Sequence, residues 1–164
     1  NNLRVVKLTN NQLISLSYSE IISLIPHRLP FLLIDRIEQL IPSISAVGIK
    51  AVSAMEPHFQ GHFPNYPVMP GVMIIESMAQ TAGCLVSYSE GYSDKEKSKN
   101  KLVYFASIES AKFRKPVLPG EILSVYVETI RSRGMLWKFS GKGKVNNQIV
   151  SECIFSAAIV EAGT

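Results

Sequence analysis

A chain of 164 residues fits one domain, and a domain of that length buries roughly 68–70% of the surface its unfolded form exposes. With 46% hydrophobic and 18% charged residues, the composition excludes a disordered chain. A net charge of +4 is too weak and too scattered to indicate nucleic acid, and no apolar run is long enough to span a bilayer. Cys84 and Cys153 lie far apart, without CxxC spacing or a histidine cluster, which argues against a metal site or a disulfide framework and for a reducing compartment. The mild basicity favours an acidic protein partner through long-range attraction.

In chain order, Ser17-Tyr-Ser-Glu20 has capping-box spacing ahead of Ile21, Ile22, Leu24 and Ile25, and predicts a short helix that ends at Pro26. Residues 31–41 read as a strand, Pro42-Ser43 as its turn and residues 44–54 as its partner. A loop follows with Glu56, His58 and His62. Pro70 suits the first turn of a helix, and from there to about Ser89 the sequence is apolar on almost every face. A helix of that kind must be enclosed by protein. Residues 91–101 read as a solvated loop, residues 102–109 and 121–131 as strands, and Met135 to Val160 as a hairpin turning near Asn146-Asn147. The pattern is α+β: one domain over 1–164, with 1–16 as an N-terminal extension and a curved antiparallel sheet wrapping the helix.

The enclosed helix carries a single charge, Glu76. A carboxylate there is costly unless it is paired, protonated or used, and burial is expected to raise its pKa. His62 stands shortly upstream in a loop stiffened by proline and glycine. Gly71, at the helix start, offers an N–H that the helix dipole makes attractive to anionic oxygen, and its lack of a Cβ admits a ligand carbonyl. Base, acid and oxyanion donor together suit proton abstraction next to a carbonyl with protonation of a leaving group, as in loss of water from a β-hydroxy thioester. Gln80 lies one turn on from Glu76, and Gly83, Cys84 and Ser87 continue that stripe, which either lines a ligand cavity or receives a second helix.

Three stretches occur in one order: Ile25-Pro-His-Arg-Leu-Pro-Phe-Leu-Leu-Ile-Asp35, Gly61 to Gln80, and Phe113-Arg-Lys-Pro-Val-Leu-Pro-Gly-Glu121. From about residue 18 to 160 the chain resembles the (3R)-hydroxyacyl-acyl-carrier-protein dehydratases of type II fatty acid synthesis, the FabZ type. The resemblance implies a hotdog fold and conversion of the 3-hydroxyacyl carrier protein to its trans-2-enoyl form, without metal or organic cofactor. It implies that His62 is the base and Glu76 the acid, contributed by different subunits of a homodimer, with three dimers in a hexamer. It maps the thioester-holding amide to Gly71 and the support of the carboxylate to Gln80, and counts Phe63 and Tyr104 with them as substrate-binding residues. The partner it implies is an acidic acyl carrier protein, and the setting is the cytoplasm, or a plastid stroma. Leu29 and Asn65-Tyr66 depart from the family pattern without touching acid or base.

Other readings compete at several positions. Glu76 is alternatively the buried half of an ion pair with a lysine or arginine of the sheet. His58, without a preceding glycine or a following Phe-Pro, reads as a loop histidine. His27 and Arg28 read as shaping the junction between helix and strand, and Asp35 as a strand residue with a structural partner. Tyr104 is either a packed aromatic with its hydroxyl at the rim or the lining of an acyl tunnel. Met69, Met73 and Met78 read as core. Lys112, Arg114, Lys115, Arg131 and Arg133 are either a solvated face or a docking patch. At the level of function, the alternatives are a thioesterase that uses Glu76 to activate water and a non-catalytic acyl-binding module.

Overall fold

Nineteen residues, Gly71–Ser89, form the long helix that the apolar run requires (α2) in a computed structural model that describes residues 13–91 and 101–161. Pro70 stands at its N-cap, where a missing N–H costs nothing. Ile74, Ile75, Met78, Ala82, Leu85 and Val86 are all buried, and burial of each larger side chain among them is worth about 1.5–3 kcal/mol. The burial comes from an antiparallel sheet that wraps the helix.

Among the described residues the sheet has seven strands: β1 (Ile14–Leu16), β2 (Arg36–Ile41), β3 (Ser45–Ala51), β4 (Lys101–Phe113), β5 (Ile122–Arg133), β6 (Leu136–Val145) and β7 (Gln148–Glu161). Their order is β1-β2-β3-β5-β6-β7-β4, so β1 and β4 are the edges. Asn146 and Asn147 both adopt positive φ, 49° and 63°, and make the β6–β7 turn where the asparagine pair predicts it. Gly48 on β3 lies where helix and sheet approach closely, since a Cβ there would lie 2.1 Å from Thr81 Oγ1. One long helix laid against a curved sheet is the hotdog arrangement.

The first helix, α1 (Tyr18–Leu24), begins at Ser17, whose N–H and hydroxyl both donate to Glu20 Oε2, at 2.7 and 2.6 Å. Those two bonds hold the Glu20 carboxyl below its usual range. Ile14–Leu16, placed by the sequence in an extension, pair with β2 at the sheet edge. The strand predicted over 31–41 starts only at Arg36. Leu32, Leu33 and Ile34 are buried, but their segment is a loop whose backbone is satisfied by a helix side chain instead of a neighbouring strand. Beyond residue 91 the predicted loop lies outside the described residues as far as residue 100. The strand expected at 102–109 continues to Phe113 through bulged pairing with β7.

Candidate active site

A 3-10 turn at Pro57–Gln60 leads into the His62 loop, and the His62 N–H donates to the His58 carbonyl at 3.0 Å. Two further bonds close the loop on itself: Phe63 N–H to the Tyr66 carbonyl and Tyr66 N–H to the Phe63 carbonyl, both 3.0 Å. Val68 N–H donates to the His62 carbonyl at 2.9 Å, while the Val68 carbonyl lies 2.7 Å from His62 Nδ1. A carbonyl only accepts, so Nδ1 carries the proton. In the neutral ring Nε2 is then left with a free lone pair, the state a base requires. Phe63 stacks on the ring with centroids 4.2 Å apart. Met69 N–H to the Val117 carbonyl, 2.8 Å, ties the loop to the segment after β4.

His62, Gly71 and Phe113 line one cavity of about 530 Å³ at the start of α2. The Gly71 N–H belongs to the first helical turn and has no acceptor within the helix. A Cβ on Gly71 would sit 2.7 Å from the Phe113 ring. Packing of Phe113 therefore accounts for the glycine, and any oxyanion role rests on the amide alone.

Glu76 lines a second cavity, of about 230 Å³, with His27, Phe31, Gln80 and Tyr104. Gln80 is buried, and its amide is fully used. Its Oε1 accepts from Leu33 N–H at 2.8 Å, and its Nε2 donates to the Phe31 carbonyl at 2.8 Å and to Glu76 Oε1 at 2.9 Å. It therefore lies behind Glu76, connecting the carboxylate to the 31–33 loop. Ala79, Gln80, Gly83 and Ser87 line this cavity together with Leu24 and Ile25 at the end of α1, so the small polar stripe both borders a cavity and lies beside the short helix. Cys84 is buried apart from it. Tyr104 on β4 is half-exposed at the cavity wall.

Among the described residues, the ionisable group facing Glu76 is His27, with Nε2 3.4 Å from Glu76 Oε1, and not a lysine or arginine of the sheet. Sequence reasoning set His27 aside with Arg28 as a junction residue, yet the two differ. Arg28 does shape the junction, donating to the carbonyls of Ile22, Ile25 and His27. His27 turns into the cavity beside Phe31. The available signal was an imidazole within the first of the three stretches that carry the family resemblance. Asp35 has the structural partner expected of it, since its Oδ2 accepts from Ala51 N–H at 2.7 Å.

Within one chain, His62 and Glu76 thus line different cavities. His58 stays in the loop against Phe59, and burial holds its imidazole below the usual histidine range, a shift that nearby Glu56 opposes. Lys50, almost fully buried, pairs with Glu56 at 2.7 Å. Arg114 pairs with Glu152, beside Lys112 and Lys142. Cys84 and Cys153 are both buried and free. Among the described residues no helix is long and apolar enough to cross a membrane.

A histidine freed at Nε2, a glutamate held at one oxygen and a helix N-terminus all stand on one hotdog scaffold. Residues 25–154 match the FabA-like domain model, and the chain belongs to that family. A curated relative from Paramagnetospirillum magneticum, a 3-hydroxyacyl-[acyl-carrier-protein] dehydratase FabZ, is 53% identical over 143 residues, covering 87% of this chain and 86% of the relative. The protein of the same description from Gluconacetobacter diazotrophicus is 55% identical over 140 residues, 85% of this chain and 84% of its own. Among solved structures, the dehydratase heterocomplex ApeI:P from Xenorhabdus doucetiae matches with a TM-score of 0.71 at 14% identity, over 87% of this chain and 91% of that one. PH1136 from Pyrococcus horikoshii matches with a TM-score of 0.60, also at 14% identity, over 81% and 88%. At that identity the two structures speak for the fold alone.

Proposed function

We infer that this chain is a hydro-lyase that dehydrates (3R)-3-hydroxyacyl-[acyl-carrier-protein] to the trans-2-enoyl thioester in type II fatty acid biosynthesis. The observation that carries the reading is the bond between His62 Nδ1 and the Val68 carbonyl, which leaves a basic Nε2. It occurs in a chain about half identical to 3-hydroxyacyl-[acyl-carrier-protein] dehydratases.

His62 Nε2 takes the α proton, and the C–H electron pair becomes the new double bond. The Gly71 N–H receives the charge that gathers on the thioester oxygen. The bond from the β carbon to its hydroxyl breaks as Glu76 gives up its proton, and water leaves. His62 is then imidazolium and Glu76 carboxylate, and return of one proton from the first to the second resets the site. Gln80 holds the carboxyl, while Phe63 and Tyr104 border the acyl chain.

The acid and base that act on one substrate come from two copies of the chain. Two facts support this: His62 and Glu76 line separate cavities, and β4 is an edge strand exposed from Tyr104 through Phe113. A long edge with Tyr104, Phe105 and Ile108 exposed leaves backbone groups and apolar surface to a partner strand. The assembly is a homodimer, and a trimer of dimers at the next level. Lys112, Lys142 and Arg114 outnumber Glu152 on the surface beside it and suit an acidic carrier protein. The two reduced cysteines suit a cytoplasmic setting.

The test is incubation with a 3-hydroxybutyryl thioester. Appearance of the conjugated enoyl absorbance is expected. Release of free acid would establish a thioesterase instead, and tight binding without turnover a non-catalytic module.

A further inference from the structure

Glu76 has two carboxyl oxygens, and both of its neighbours approach the same one. Gln80 Nε2 donates to Oε1 at 2.9 Å, and His27 Nε2 stands 3.4 Å from that oxygen. With Glu76 as the acid, the oxygen that accepts the Gln80 N–H serves as its carbonyl-type oxygen, and the proton to be transferred belongs on Oε2. The state of His27 follows from its other nitrogen. Nδ1 is buried and has no hydrogen-bond partner among the described residues. An N–H at Nδ1 would be buried without an acceptor, whereas an N–H at Nε2 leaves only an unused lone pair at Nδ1. Phe31 flanks the ring with centroids 6.3 Å apart and an interplanar angle of 25°. Arg28 pins the His27 carbonyl at 2.6 Å, so the backbone that carries the imidazole is fixed as well.

We propose that His27 is a positioning residue for the dehydration: its Nε2, in polar contact with Oε1 at 3.4 Å, confines the Glu76 carboxyl together with Gln80, so that Oε2 delivers the proton to the departing hydroxyl. The proposal rests on the reading of Glu76 as the acid. His27 touches no reacting atom; it acts by limiting the rotation of a group that must be aligned at the moment of transfer.

The experiment compares His27→Leu, which fills the space without a donor, with His27→Gln, whose amide nitrogen reaches about as far as Nε2. Both are assayed as assembled enzyme on a 3-hydroxybutyryl thioester. The Leu variant is expected to lose about ten- to a hundredfold in kcat with KM changed less than about twofold, and the Gln variant to recover most of that loss. Equal losses in both variants, a loss confined to KM, or an unchanged kcat in the Leu variant would overturn the proposal. If the Leu variant does not assemble, His27→Asn, whose amide ends short of Glu76, takes its place in the comparison. Glu76→Gln separates the two readings. If it stays active, the acid assignment falls and this proposal with it; if it is inactive while His27→Leu turns over normally, only the role of His27 falls.

Discussion

His62 and Val68 are bonded to each other twice, backbone to backbone at 2.9 Å and ring to carbonyl at 2.7 Å. The second bond fixes the tautomer, and the first holds the carbonyl that fixes it. His62→Ala removes the ring without disturbing the backbone bond. Turnover of a 3-hydroxyacyl thioester should fall by about a thousandfold or more, with the elution volume and melting temperature of the parent retained. Steady-state assay beside size-exclusion chromatography checks both halves of that expectation.

Gly71 and Phe113 make a second tight pair. An added methyl at position 71 would fall 2.7 Å from the ring. Gly71→Ala should cost about 1–3 kcal/mol in denaturant unfolding, as overpacking does, and lower activity through displacement of the helix start. Phe113→Leu in the same chain should restore part of the stability, because the smaller side chain vacates the contact. A double variant no more stable than Gly71→Ala would show that the ring is not what excludes a side chain there.

Gln80→Leu leaves the Leu33 N–H and the Phe31 carbonyl without the partner each now has. An unpaired buried group costs about 1–3 kcal/mol, so a loss of roughly 2–4 kcal/mol in urea unfolding is expected. The carboxyl of Glu76 loses a donor at the same time, and kcat should fall with it. A variant as stable and as active as the parent would contradict this account of the 31–33 loop.

His58 sets a pH dependence of stability. Burial lowers its pKa from the usual 6.5, so the folded chain keeps a neutral ring where the unfolded chain takes up a proton. That contribution is complete above pH 6.5 and is lost as pH falls through the lowered folded value. The melting temperature should therefore drop more between pH 7 and pH 5 in the parent than in His58→Asn. Parallel curves for the two proteins would remove His58 from the explanation.

What could be read from the sequence was whatever is encoded locally. The cap at Ser17 and Glu20, the start of α2 at Pro70 and the Asn146-Asn147 turn are each set by a few adjacent residues, and the structure has all three. Residues 31–35 misled because an apolar run reads as a strand, and nothing local reveals that Gln80, 47 residues from Leu33, holds its backbone. The β1 pairing of Ile14–Leu16 with β2 is equally non-local. In the site, His62 and Glu76 stood out by residue type and spacing. His27 did not, since its relation to Glu76 arises only when the α1–β2 junction folds against α2.

The central claim is that base and acid of one site come from two chains, and mixed oligomers test it most directly. His62→Ala and Glu76→Gln proteins, each inactive alone, are unfolded together and refolded as a mixture. Random pairing makes half of the dimers hybrid, and each hybrid carries one intact site, so about a quarter of parental activity should return. If mixing restores nothing while hybrid dimers are present by mass, His62 and Glu76 do not act across an interface between two copies.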